Sequence, residues 1–150
     1  MRDSRWKYLV PMVMAFGIMS IAVLTTAASP ENRPACDIQQ APCVAHTVDN
    51  TRIELDILPR PIRAMTDLTF VVSLSKNGKP IADALIQIDL TMPGMSMGKN
   101  QVRLKMVSNG RYEGQGIITR CMSGRKNWKA DVVANHAGKA VEADFIFEVK

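Results

Sequence analysis

Residues 141–149 read Val-Glu-Ala-Asp-Phe-Ile-Phe-Glu-Val. Val141, Ala143, Phe145, Phe147 and Val149 share one parity, while Glu142, Asp144 and Glu148 share the other. A period of two puts the first set on the core face of a strand and the second in solvent. The same period recurs upstream. Ile53, Leu55 and Ile57 alternate with Arg52, Glu54 and Asp56, and Leu68, Phe70, Val72 and Leu74 mark a second strand. Ile86, Ile88 and Leu90 mark a third, and Val102, Leu104 and Met106 a fourth. A fifth runs from Arg111 to about Ile118 and a sixth from Trp128 to about Ala134, so the quoted stretch is the seventh. Breaks at Pro59 and Pro61 and at Lys76-Asn77-Gly78-Lys79-Pro80 separate them. Seven short strands without a long amphipathic helix predict an all-β chain, an immunoglobulin-like β-sandwich over residues 50–150.

Ser108-Asn109-Gly110 permits a register assignment. A three-residue loop ending in a glycine with positive φ pairs Met106 with Tyr112 and Lys105 with Glu113. The same register continued puts Leu104 opposite Gly114, Val102 opposite Gly116 and Met97 opposite Cys121.

Residues 1–28 have a different character. Arg2, Arg5 and Lys7 outweigh Asp3, and the stretch from Tyr8 to Ala28 carries no charge. It is long enough to cross a bilayer as a helix, and the basic end keeps that terminus in the cytoplasm. Thr25-Thr26-Ala27-Ala28-Ser29 supplies small residues for a cleavage site. A signal peptide and an uncleaved transmembrane anchor both fit. Either one places the remainder on the exported side, tethered to the membrane or free in the periplasm. Without this segment the formal charge of +5 loses Arg2, Arg5, Lys7 and Asp3 and becomes +3. That balance, with no basic cluster interleaved with aromatics, argues against nucleic acid as a partner.

Residues 29–49 read as a linker containing Cys36 and Cys43. Two thiols this close in an exported chain are expected to form a disulfide. The rival, a soft-metal pair, has no standard zinc spacing. Cys121 is then the odd thiol.

Chemistry concentrates in Thr91-Met92-Pro93-Gly94-Met95-Ser96-Met97-Gly98. Proline and glycine make this a loop, so its thioethers need not all enter a core. Thioethers and thiolates favour Cu(I). Met92, Met95 and Met97, with Cys121 and Met122 opposite, form the candidate metal set. The competing reading is packing, because methionine fills irregular gaps and cysteine is often simply buried. His46 and His136 stand isolated. No Ser-His-Asp setting, Cys-x-x-Cys pair, paired-carboxylate motif or phosphate loop appears, so the chain does not read as an enzyme and no small-molecule substrate is evident.

The run Met92 to Gly98, followed by Asn100-Gln101-Val102-Arg103-Leu104 and Gly110-Arg111-Tyr112-Glu113-Gly114, resembles the signature of the YtkA-like domain family. The resemblance covers about residues 50–149. The family is similar to FixH-like small membrane-anchored proteins with an exported immunoglobulin-like domain. It implies copper handling or oxidase assembly, with Met92, Met95 and Met97 as the Met-rich loop. The alternative function is a non-metal accessory module that meets a protein partner in an envelope or transport complex.

Overall fold

A computed structural model describes residues 37–95 and 98–150. The leader expected over residues 1–28 lies outside them. So do Cys36, and with it the proposed pairing to Cys43, and Met97.

The described chain is all-β. Nine strands follow in order: β1 Cys43–His46, β2 Thr51–Leu58, β3 Asp67–Lys76, β4 Lys79–Pro80, β5 Leu85–Thr91, β6 Gln101–Ser108, β7 Arg111–Ile117, β8 Asn127–His136 and β9 Lys139–Glu148. Every pairing is antiparallel, and the strands line up as β1-β2-β3-β7-β6-β5-β8-β9, with the two-residue β4 on β3. The edge strands β1 and β9 come back against each other, so the sheet folds over and nearly closes. All seven expected strands are present, and their alternation holds except at Met106. Ile53, Leu55 and Ile57 are fully buried, as are Phe70 and Val72 beside them, and Phe145 and Phe147 line the far side of the same core. Trp128, Tyr112, Phe70 and Phe147 are the bulkiest fully buried side chains. Each contributes about 1.5–3 kcal/mol or more by leaving water.

Three expectations need correction. First, the described chain has nine strands rather than about seven, joined neighbour to neighbour into one nearly closed antiparallel sheet. Part of the segment read as linker is built into it. β1 pairs Cys43 with Leu55 and His46 with Arg52, and Ile38 is wholly buried. The Gln39 amide donates to the Ile62 and Glu148 carbonyls and accepts from the Ile62 N–H, which fastens this segment across two elements.

Second, the hairpin register holds at Lys105 and Met106 only, and Ser108 pairs with Arg111 beside the turn. Lys105 faces Glu113 and Met106 faces Tyr112, with Gly110 at φ 75° as the loop requires. The ladder shifts by one residue between Met106 and Ser108. Leu104 and Val102, expected opposite Gly114 and Gly116, pair instead with Ile86 and Ile88 of β5. β6 therefore pairs with β5 from Gln101 to Leu104 and with β7 from Lys105 onward, while Gly114 and Gly116 pair with Phe70 and Leu68 on the other edge of β7. The glycines permit this crossing. A Cβ on Gly114 would lie 2.6 Å from the Arg103 carbonyl oxygen, and one on Gly116 would lie 2.5 Å from Val102 Cγ2.

Third, Met106 was placed among the inward positions but is 45% exposed. It lies where β6 reaches the end of the sheet beside the irregularity. Tyr112 opposite is buried, and its hydroxyl accepts from the Ala84 N–H at 3.0 Å and donates to the Ile81 carbonyl at 2.8 Å. That pair of bonds ties β7 to the connection before β5.

Candidate functional site

Strand directions bring the Met-rich loop and the Cys121 loop to one end of the sheet. β5 ends at Thr91, which pairs with Lys129 near the start of β8. The Leu90 N–H donates to the Asn100 carbonyl, and the Asn100 amide donates to the Ile117 carbonyl at 3.2 Å. Ile117 closes β7, four residues before Cys121. The Met65 N–H donates to the Ile118 carbonyl at 2.8 Å, so the connection from β2 to β3 reaches the same end.

Within the loop, Met92 and Met95 form an isolated bridge, with the Met95 N–H bonded to the Met92 carbonyl at 3.0 Å around Pro93-Gly94. Gly94 takes φ 73°, which a side chain would resist. The turn sends its methionines in different directions. Met92 is 2% exposed and part of the core, whereas Met95 is 38% exposed. The two residues of the second loop also diverge. Cys121 is 8% exposed and its neighbour Met122 is 99% exposed. Met65, which sequence reasoning passed over, is 63% exposed and has φ 62°. Its only sequence signal is its isolation between Pro61 and Asp67, outside any apolar alternation. Of the exposed methionines among the described residues, Met65, Met95 and Met122 belong to this end and Met106 to the hairpin end.

Cys121 is a free thiol. The Cys121 carbonyl accepts from the Gly124 N–H at 3.1 Å, closing a tight turn, and Sγ lies 3.0 Å from the Ser123 hydroxyl. That hydroxyl, the Ser123 and Arg125 N–H groups and the Arg125 charge favour the thiolate and hold the thiol below its ordinary range against the opposing effect of burial. A shallow cleft of about 340 Å³ opens beside it, lined in part by Arg63, Thr66, Arg120, Arg125 and Lys126, with buried Trp128 as its wall.

His46 sits in β1 and His136 ends β8. No group of three or more His, Cys, Asp or Glu side chains among the described residues is arranged to hold a metal ion.

No protein of curated function matches the chain. Among solved structures it is similar to a DUF4785 family protein from Legionella pneumophila, with 13% identity and a TM-score of 0.47 over 69% of this chain. It spans 29% of that protein's length. It is also similar to the GAE domain of GGA2p from Saccharomyces cerevisiae, with 14% identity and a TM-score of 0.33 over 73% of this chain and 98% of that one. The family model described as YtkA-like matches residues 45–125, from β1 through the Met-rich loop to the Cys121 turn. The chain belongs to the YtkA-like family.

Proposed function

We propose that this chain is a non-enzymatic binding module, exported behind its N-terminal segment, that holds Cu(I) at the Met-rich end of the sheet for copper handling or oxidase assembly. The observation that carries this reading is the collection of solvent-facing thioethers, Met65, Met95 and Met122, at the end that also bears the Cys121 thiol. Exposed methionine side chains lose water-excluding contacts that a core would give them. Thioethers and a readily ionised thiol are ligands that Cu(I) prefers. The roles divide. Met92 seats the turn in the core, Met95 presents a donor from the loop, Met97 is a further candidate outside the described residues, and Cys121 and Met122 supply donors from across the end. A Cys36–Cys43 disulfide would fasten the segment that precedes β1 and leave Cys121 as the single thiol.

The test is titration of the reduced full chain with Cu(I) against a competing chromophoric chelator. The parent chain binds one Cu(I), and the variant Met95→Leu/Met97→Leu/Met122→Leu loses most of that affinity, while Met106→Leu at the other end keeps it. Equal binding by the triple variant removes the loop from consideration.

A further inference from the structure

The cleft beside Cys121 has a charge pattern that the copper reading does not use. Arg63 comes from the connection before β3, Arg120, Arg125 and Lys126 from the loop between β7 and β8, and Lys150 from the residues after β9. No acidic residue lines the cleft. None of these five cations takes part in an ion pair among the described residues. Elsewhere the cations divide: Lys79, Lys99, Arg103, Lys105 and Lys139 are unpaired among the described residues but dispersed over β4, β6, β9 and the loop before β6. Arg52, Arg60, Lys76, Arg111 and Lys129 are each paired with a carboxylate. The neighbouring cleft around Arg60 is lined by both signs, with Asp37 and Glu148 facing it. Half of the ten unpaired cations among the described residues therefore gather around one hollow that no carboxylate side chain lines.

From this arrangement we infer that the cleft is a binding site for a phosphoryl group, free as phosphate or pyrophosphate or carried by a lipid headgroup. Three guanidinium groups offer planar forks that match the oxygens of a phosphoryl group, and Thr119 adds a hydroxyl donor, while the Thr66 hydroxyl donates to the Arg63 carbonyl. The volume suits a small anion or a single headgroup rather than an extended polyanion, which would need a stripe of charge along the surface. Like charges held together repel, so the empty cleft stores unfavourable energy that a bound anion relieves. The inference is independent of the copper reading, since it involves neither the thioethers nor the state of Cys121.

The experiment uses the reduced, metal-free full chain at fixed ionic strength. Inorganic pyrophosphate is titrated while backbone amide shifts and the thermal midpoint are followed. Saturable shifts confined to the 119–126 loop and to residues 63–66 are expected, with a rise in the midpoint from binding to the folded state. Arg120→Ala/Arg125→Ala removes two exposed side chains, leaves the fold intact by its unliganded midpoint, and weakens pyrophosphate by about tenfold. Arg103→Ala/Lys139→Ala removes the same charge elsewhere and changes binding less than about twofold. A second arm measures co-sedimentation with phosphatidylglycerol vesicles against phosphatidylcholine vesicles. Binding to phosphatidylglycerol alone, lost in the cleft variant, assigns the phosphoryl group to a lipid. Binding of neither probe overturns the inference, as does equal weakening by both double variants.

Discussion

The exchange of β6 from one strand neighbour to another depends on two residues without side chains, and Gly114→Ala tests it. The added Cβ would stand 2.6 Å from the Arg103 carbonyl oxygen, where a carbon and an oxygen ordinarily stay about 3.3 Å or more apart. Neither backbone can yield freely. Arg103 is paired with Gln87 and Gly114 with Phe70, so each is held in a ladder. Overpacking of this kind destabilises by about 1–3 kcal/mol. The alanine regains about 0.4–1 kcal/mol by restricting the unfolded chain. The net expectation is a loss of about 1–2 kcal/mol, read from urea unfolding followed by tryptophan fluorescence, for which buried Trp128 is a reporter. Gly116→Ala provides the internal control because its Cβ meets a side chain, Val102 Cγ2, at 2.5 Å. Combining it with Val102→Ala should leave the double variant about 1 kcal/mol more stable than the sum of the two single changes. If Gly114→Ala is neutral or stabilising, the two strands do not cross where the account requires.

Three further outcomes follow from the same geometry. Met92→Ala should cost about 2–5 kcal/mol because it empties a core position, whereas Met95→Ala should change stability by less than about 0.5 kcal/mol; comparing their unfolding midpoints checks this. Alkylation of Cys121 should show its midpoint below the ordinary thiol range, and Ser123→Ala should move it upward; an unchanged profile would mean that the hydroxyl does not hold the thiolate. Asp49 is held well below the usual carboxylate range by hydrogen bonds from Lys76 and Thr47. A depressed folded value gives stability that is present above the unfolded pKa and is lost as pH falls through the folded one. Asp49→Asn should therefore lower stability at neutral pH and converge with the parent chain on acidification below about pH 4, as seen in unfolding curves across pH.

Strand alternation made most of this fold legible in the sequence, because a half-buried antiparallel strand writes its burial into the order of its residues. Strands β2, β3, β5, β8 and β9 show this directly. β1 escaped notice because Cys43–His46 is short, is not regularly alternating, and lies in a stretch whose prolines and cysteines read as linker. Ile38 gave no periodic signal at all, and its burial depends on tertiary bonds from Gln39. The β6 register is correct at Lys105 and Met106, shifts by one residue beside the turn, and fails at Leu104 and Val102, which pair with β5. The two glycines facing those positions were visible, but their reason was not. In the candidate site, the clustering of sulfur was legible while the direction of each side chain was not. Only the turn at Pro93-Gly94 decides that Met92 enters the core and Met95 leaves it. Met65 arrives through a hydrogen bond to Ile118 that spans 53 residues of sequence, beyond the reach of any local pattern.

If the Met-rich end of the sheet holds Cu(I) as proposed, the nearest neighbours of a bound copper ion are sulfur atoms. Copper K-edge absorption of the reduced full chain loaded with one equivalent of Cu(I) reports those neighbours without reference to activity. The expected result is a copper coordination sphere made wholly of sulfur that loses scatterers in Met95→Leu/Met97→Leu/Met122→Leu. A sphere of nitrogen and oxygen, or a sulfur sphere that the triple variant leaves unchanged, would contradict the proposal.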